Sequence, residues 1–240
     1  GFNALTDELM KILQERNILL IEDVCESHGA TNNGNKLGTF GWASNFSFYY
    51  AHHMSTIEGG MICTNDAKLY ETFRLLRSHG MVRESSSQEF KESYWKKYPD
   101  LNPDFIFAFP AYNVRNTEIG AIFGRNQLLR LDGNNQIRNR NQQIFLENLD
   151  KKIYRTDFRV EGSSNYAFNL ILRDSNQDYT ERLMLRMREE KIEFRRGSAG
   201  GGNQLRQPYL RELFGDIYKN YPHVDHIHFH GFYIGNYPSL

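Results

Sequence analysis

Asp23, Ser47 and the adjacent pair His52 and His53 are the residues whose types and placing most invite chemistry. Asp23 closes the apolar run NILLIED. In open α/β sheets ligands gather beyond the carboxyl ends of strands, so its carboxylate either faces a ligand or caps the next turn in water. Ser47 lies in SNFSFYY, where its hydroxyl either holds a phosphate or simply alternates with Phe46 and Phe48 on a half-buried strand. His52 and His53 stand between that aromatic run and a Glu-Gly-Gly turn. An imidazole with an ordinary pKa of about 6.5 can act as base and acid near neutrality, bind a metal, or fill a core. Neighbouring strand residues point to opposite faces and no third ligand is close in sequence, so the metal role is the weakest of the three.

Two further stretches carry suggestive residue types. HVDHIHFH contains His223, His226, His228 and His230. On a strand, alternate members would share a face, but a convincing fourth zinc ligand is missing, so a structural or solvated role is preferred and no metal site is expected. Gly200–Gly202 has phosphate-loop composition without the strand–GxxxxGK[ST]–helix setting, and reads as a flexible loop.

The elements that must position these residues follow from pattern. Thr6 or Asp7 caps a helix to about Arg16, with Leu9, Ile12 and Leu13 on one face. NILLIED reads as a buried parallel strand, SNFSFYY and GGMICTND as the next two. Asn65 or Asp66 caps a helix that stops at Gly80. Residues 81–104 are polar and are expected to form a mobile loop. One helix is expected from Asn116 or Thr117, and a second, after Gly133, over about Asn134 to Lys152. SNYAFNLILR, QDYTERLMLRMREEK and IEFRRG then read as strand, helix and strand. The alternation implies an α/β layer with a domain break near Leu128 to Asn135, dividing 1–130 from 131–240.

Bulk composition removes several function classes. The 240 residues are 40% hydrophobic and 14% aromatic, with 29 basic and 29 acidic side chains. A neutral chain has no electrostatic footprint for nucleic acid or anionic membrane. No apolar run reaches the ~18 residues of a membrane span. Two cysteines, Cys25 and Cys63, are too few for a disulfide framework or a complete zinc or iron–sulfur site, and a cytoplasmic setting is expected.

Taken in order, LLIEDVCESHGA, GTFG, NFSFYYAHH, STIEGGMICTND, LRSHG and YNVRNTEIGA form one series. It resembles the DegT/DnrJ/EryC1 sugar aminotransferases, pyridoxal-phosphate enzymes of fold type I. The resemblance runs the length of the chain, supported towards the end by QPYL and FYIGNYP. It implies an aspartate aminotransferase-like α/β fold, with a three-layer large domain and a small α/β C-terminal domain. It further implies a homodimer with a shared active site. By resemblance, Asp23 pairs with the pyridine nitrogen, Glu26 lies near the ring, Ser47 binds the cofactor phosphate, and Asn113 reaches the phosphate of the neighbouring subunit. Arg115, His79 and His53 are candidate substrate contacts, with a structural role as the alternative for the two histidines.

The departure from the family pattern is at position 52. The family's Schiff-base lysine is the fifth residue after the serine and the sixth before the Glu of EGG, and both counts arrive at His52. Imidazole forms no stable imine with the cofactor aldehyde. The same replacement marks the sugar-nucleotide 3-dehydratases, one subtype of which acts on GDP-4-keto-6-deoxy-mannose. Another acts on a CDP sugar with an iron–sulfur cluster; only Cys63 lies beyond His52, which disfavours it. The resemblance thus implies pyridoxamine phosphate as cofactor, glutamate as amino donor, and His52 as the acid–base that removes the 3-hydroxyl of a nucleotide-linked 4-keto-6-deoxy hexose for O-antigen or similar lipopolysaccharide glycans. An aminotransferase homologue with altered activity and a non-catalytic sugar-nucleotide binder are the alternatives. The chain opens in mid-pattern at Gly1, so it is expected to be a piece of a longer protein. The part expected to be missing holds the first half of the large domain, with its phosphate-binding turn and ring-stacking aromatic, and the last helix of the small domain.

Overall fold

The computed structural model describes residues 2–197 and 200–239. In the unit Ala4–Leu131, Thr6 caps α1 (Asp7–Glu15), its hydroxyl accepting from the Leu9 amide at 3.1 Å. Then come β1 (Ile21–Asp23), a small hairpin of β2 (Thr31–Asn32) and β3 (Asn35–Lys36), β4 (Ala43–Ser47) and β5 (Gly60–Thr64). β4 is the middle strand of a three-stranded sheet, parallel to β1 and antiparallel to β5. Asp66 caps α2 (Ala67–Arg77) by accepting from the Lys68 and Leu69 amides.

β1 pairs in parallel with β4 as expected, and it carries a buried acid that its composition does not suggest. Leu19 and Ile21 are 64% and 63% exposed, while Glu22 is buried. Glu22 accepts from the Gly38, Phe40 and Gly41 amides at 2.6, 2.7 and 2.6 Å. A buried carboxylate is tolerated when it is saturated with donors.

Residues 81–104 are also more ordered in form than their polarity suggests. Val82 is fully buried, and Ser87 caps α3 (Gln88–Lys97) by accepting from the Phe90 amide. Glu, Lys and Gln are good helix formers, so a charged stretch with a serine cap folds as a surface helix rather than an open loop.

α4 (Glu118–Asn148) is one continuous helix of 31 residues, not two. Gly133 sits within it; a glycine there costs a helix only about 1 kcal/mol relative to alanine, which long flanking turns absorb. The helix starts in the first unit and ends in the second. The second unit adds β6 (Ala167–Ile171), α5 (Gln177–Glu189), β7 (Phe194–Arg196), α6 (Pro208–Phe214), α7 (Pro222–His230) and β8 (Gly231–Gly235). Its sheet, ordered β6-β8-β7, is antiparallel, and Leu170, Met187 and Phe232 form its core. HVDHIHFH is thus helical, with Pro222 at its first turn, where proline is well tolerated. Gly200–Gly202 has positive φ throughout; the neighbouring Ser198 and Ala199 of the expected loop lie outside the described residues. No helix among the described residues is long and apolar enough to cross a membrane.

Candidate active site

Parallel pairing of β1 with β4 brings Asp23 opposite Asn45, so Asp23 and Ser47 both lie at carboxyl ends of neighbouring strands. Asp23 Oδ1 accepts from the Asn45 side-chain amide at 3.0 Å and from the Cys25 backbone amide at 3.1 Å. The same Asn45 nitrogen lies 3.1 Å from Cys25 Sγ. Burial opposes ionisation of Asp23, but hydrogen bonds from Cys25 and Asn45, with the charge of His52, outweigh it and hold the carboxyl below its usual range. Burial, then the neighbouring carboxylate, pushes the Cys25 thiol up to about 12, so it stays protonated.

β4 runs out through Ser47, whose Oγ accepts from the Tyr49 amide at 3.3 Å, leaving its own hydrogen available to donate. A turn follows in which the His52 amide donates to the Tyr49 carbonyl at 3.0 Å. The His52 ring packs edge-on against Tyr49, at 5.4 Å between centroids, and Nε2 lies 3.7 Å from Glu26 Oε1. The returning Glu-Gly-Gly turn is pinned by the Phe48 amide, which donates to the Gly59 carbonyl at 2.8 Å. Gly59 has φ 155°, and a Cβ there would meet Thr56 Oγ1 at 2.6 Å, so this turn requires glycine.

His53 separates from its neighbour. It is buried, and its ring stacks on the buried His28 at 5.7 Å and 28°. His28 also packs on Phe46 and Phe48, which alternate along the strand with Asn45 and Ser47. Burial first, and then the charge of His52, pushes His28 down to about 4, keeping it neutral.

The remaining candidates belong to another segment of the same unit. Asn113 bridges Ser78, and the His79 amide donates to the Tyr112 carbonyl at 2.6 Å. His79 has φ 60°, a left-handed conformation seldom adopted by histidine, and it borders a surface depression lined by residues 107–111. Asn113 and the neighbouring Arg115 are exposed. The structure thus gathers Asp23, Glu26, Ser47 and His52 around two strand ends, and pairs the segment of His79 with that of Asn113. Cys25, Asn45 and His28 join the site without having stood out in the sequence. Asn45 shares a strand parity with Ser47, which is visible in sequence, but its partner Asp23 depends on the β1–β4 register, which is not.

Three of the four C-terminal histidines are held by protein groups. His226 bonds Ser175 Oγ and the Leu172 carbonyl, and His230 bonds Thr180 Oγ1. His228 Nδ1 accepts from the Asn203 amide. Among the described residues no group of three or more His, Cys, Asp or Glu side chains could hold a metal ion.

Residues 1–240 match the DegT/DnrJ/EryC1/StrS aminotransferase family. GDP-4-keto-6-deoxy-D-mannose 3-dehydratase of Escherichia coli O55:H7 is 31% identical over 96% of this chain and 59% of its own length. The enzyme of the same name from Yersinia pseudotuberculosis is 32% identical over 96% and 58%. A solved structure of the E. coli 3-dehydratase with bound hydrated pyridoxal phosphate superposes with a TM-score of 0.81 at 30% identity, covering 97% of this chain and 59% of that one. The chain therefore spans somewhat under two thirds of the relatives it matches. Its fold is that of the pyridoxal-phosphate-dependent aminotransferases. The chain belongs to the DegT/DnrJ/EryC1/StrS aminotransferase family.

Proposed function

We propose that the protein is a pyridoxamine-phosphate-dependent 3-dehydratase of a nucleotide-linked 4-keto-6-deoxy hexose, with His52 as its acid–base. The observation that carries this reading is the His52 imidazole 3.7 Å from the Glu26 carboxylate, at the position to which the resemblance assigns the family's lysine. No lysine occurs between Lys36 and Lys68 to replace it. Relatives named as 3-dehydratases, one with GDP-perosamine bound in a histidine-to-asparagine variant, support the same substrate class.

The donor set fits the cofactor. Asp23 is an ionised acceptor suited to a protonated pyridine nitrogen, and Ser47 has a hydroxyl hydrogen to give to a phosphate. Glu26 lies beside His52, and Asn113 is exposed, as a residue must be to serve a neighbouring subunit. Such a cofactor supplies an amine for the 4-keto carbon and a ring that accepts electron density. His52 Nε2 takes up a proton and returns it to the departing 3-hydroxyl, which leaves as water. Glu26 steadies the imidazolium that carries the proton in between. His28 stays neutral behind the strand, and His53, stacked on it, keeps the turn in place. In net terms the C3–O bond is replaced by C3–H, while glutamate is oxidised to 2-oxoglutarate with release of ammonia.

In this reading residues 1–130 form the second half of the large cofactor-binding domain and 131–240 the small C-terminal domain. His79 and Arg115 remain the candidate substrate contacts, while the buried His53 takes its structural alternative. The protein works as a cytoplasmic homodimer with a shared active site, in deoxysugar supply for surface glycans. The test is product analysis of the full-length protein with glutamate and a 4-keto-6-deoxy sugar nucleotide. Formation of a 3-deoxy-4-keto sugar, abolished by His52→Asn, is expected. A 4-amino sugar as sole product would overturn the assignment.

A further inference from the structure

We infer that Asn45 and Cys25 are positioning residues that clamp one oxygen of the Asp23 carboxylate and so present the other to the cofactor ring. The inference rests on the proposed role of Asp23. The Asn45 amide and the Cys25 backbone amide both reach Oδ1, at 3.0 and 3.1 Å, and Oδ2 takes part in neither bond. Cys25 Sγ closes the triangle at 3.1 Å from the same Asn45 nitrogen. This arrangement is set by the sheet: Asp23 and Asn45 are register partners on parallel strands, so the amide approaches from a backbone already fixed. On the far side of Asn45, β5 contributes the apolar Ile62 as its register partner. The ionisable groups around the clamp are the Cys25 thiol, His52 and Glu26, and the thiol, held protonated, is the hydrogen-bond donor among them.

A single fixed oxygen matters because a carboxylate that swings about its last bond loses alignment with a planar ring. Fixing it in advance removes that cost from binding. A side chain that merely filled space beside Asp23 would hold water off it, so trimming that side chain would lower the Asp23 titration rather than raise it. The clamp is therefore read on Asp23 itself, in the cofactor-free full chain, by following its side-chain carboxyl carbon with 13C NMR as a function of pH. Asn45→Leu removes the side-chain donor to Oδ1, and Cys25→Ala removes the thiol while keeping the backbone donor; both are expected to move the Asp23 titration upward, Cys25→Ala by less. Cys25→Ser keeps a donor and is expected to restore most of the effect. Pyridoxamine phosphate binding to Asn45→Leu, measured by fluorescence at neutral pH, is expected to weaken about three- to tenfold, the worth of one net hydrogen bond. Circular dichroism checks folding, and if Asn45→Leu does not fold, the two Cys25 variants carry the test. An Asp23 titration that stays in place in the folded donor-deleted variants overturns the clamp. If the titration moves but Asp23→Ala binds pyridoxamine phosphate as well as the parent, the clamp stands and the role given to Asp23 falls.

Discussion

Glu26 and His52 meet across two strand ends, Oε1 to Nε2 at 3.7 Å, one from the turn after β1 and the other from the turn after β4. The contact is too long for a strong hydrogen bond and suits a water-bridged or transient ion pair. Glu26→Gln keeps the shape and removes the charge. It is expected to lower kcat by about ten- to a hundredfold with little change in KM, since the pair matters most when His52 is protonated. Steady-state kinetics decide it: an unchanged kcat would leave Glu26 without this role.

The buried Glu22 gives a prediction about stability. Its carboxylate accepts from three backbone amides of the Gly38–Gly41 turn. Glu22→Ala strands those donors and is expected to cost at least about 3 kcal/mol. Glu22→Gln keeps one acceptor oxygen and should lose less. Urea midpoints rank the variants, and equal midpoints for Ala and Gln would show that water satisfies the turn instead.

His28 predicts a pH dependence with a defined sign. Its ordinary value of 6.5 falls to about 4 in the fold, mainly through burial and then through the charge of His52. Between those values the unfolded chain binds a proton that the folded chain refuses, so stability rises with pH across this window. The full contribution, lost once pH drops below 4, corresponds to roughly 3 kcal/mol. His28→Phe removes the group while keeping an aromatic against Phe46 and Phe48. Its urea midpoint should therefore vary less with pH than the parent's over the same range. Parallel curves for the two proteins would assign the slope to other titratable groups.

Much of this site is legible in the amino-acid sequence, and the reason is local. Ser47, His52 and Glu58 are fixed relative to one another by chain spacing alone, so counting along the strand and turn reaches His52 from either side. Caps are equally readable: Thr6 and Asp66 accept from amides two or three residues ahead. Pairing between strands is not readable in this way. The inward Glu22 and the Asn45–Asp23 contact depend on register and on which strand forms the sheet edge. The charged helix α3 and the unbroken α4 escape a reading by pattern, because polarity suggests a loop and Gly133 a break. Helix propensity and a serine cap settle the first, and the second needs only about 1 kcal/mol from its flanking turns. HVDHIHFH reads as a strand from its two-residue spacing of histidines, and the structure overturns that with a helix that Pro222 starts at its first turn.

If His52 holds the position proposed for it, a lysine there should behave as the family's Schiff-base lysine does. In His52→Lys a primary amine replaces an imidazole on the same turn, held by the His52 amide bond to the Tyr49 carbonyl and by the ring of Tyr49. A lysine chain is longer and more flexible than imidazole, so it can reach past Glu26 towards a ring seated on Asp23 and Ser47. Beside the Glu26 carboxylate its amine is stabilised in the charged form, which slows attack on an aldehyde. Glu26→Gln in the same chain should relieve that brake. The full-length His52→Lys protein, incubated with pyridoxal phosphate and reduced with borohydride, is expected to retain the cofactor covalently at residue 52, with more label in the double variant. Peptide mass spectrometry locates the adduct. The parent should retain none at this position, and elimination activity should fall in the variant because an amine of high pKa is a poor acid–base near neutrality. Label on a different lysine, with none at residue 52, would show that the turn after β4 does not face the cofactor and that His52 cannot be the acid–base.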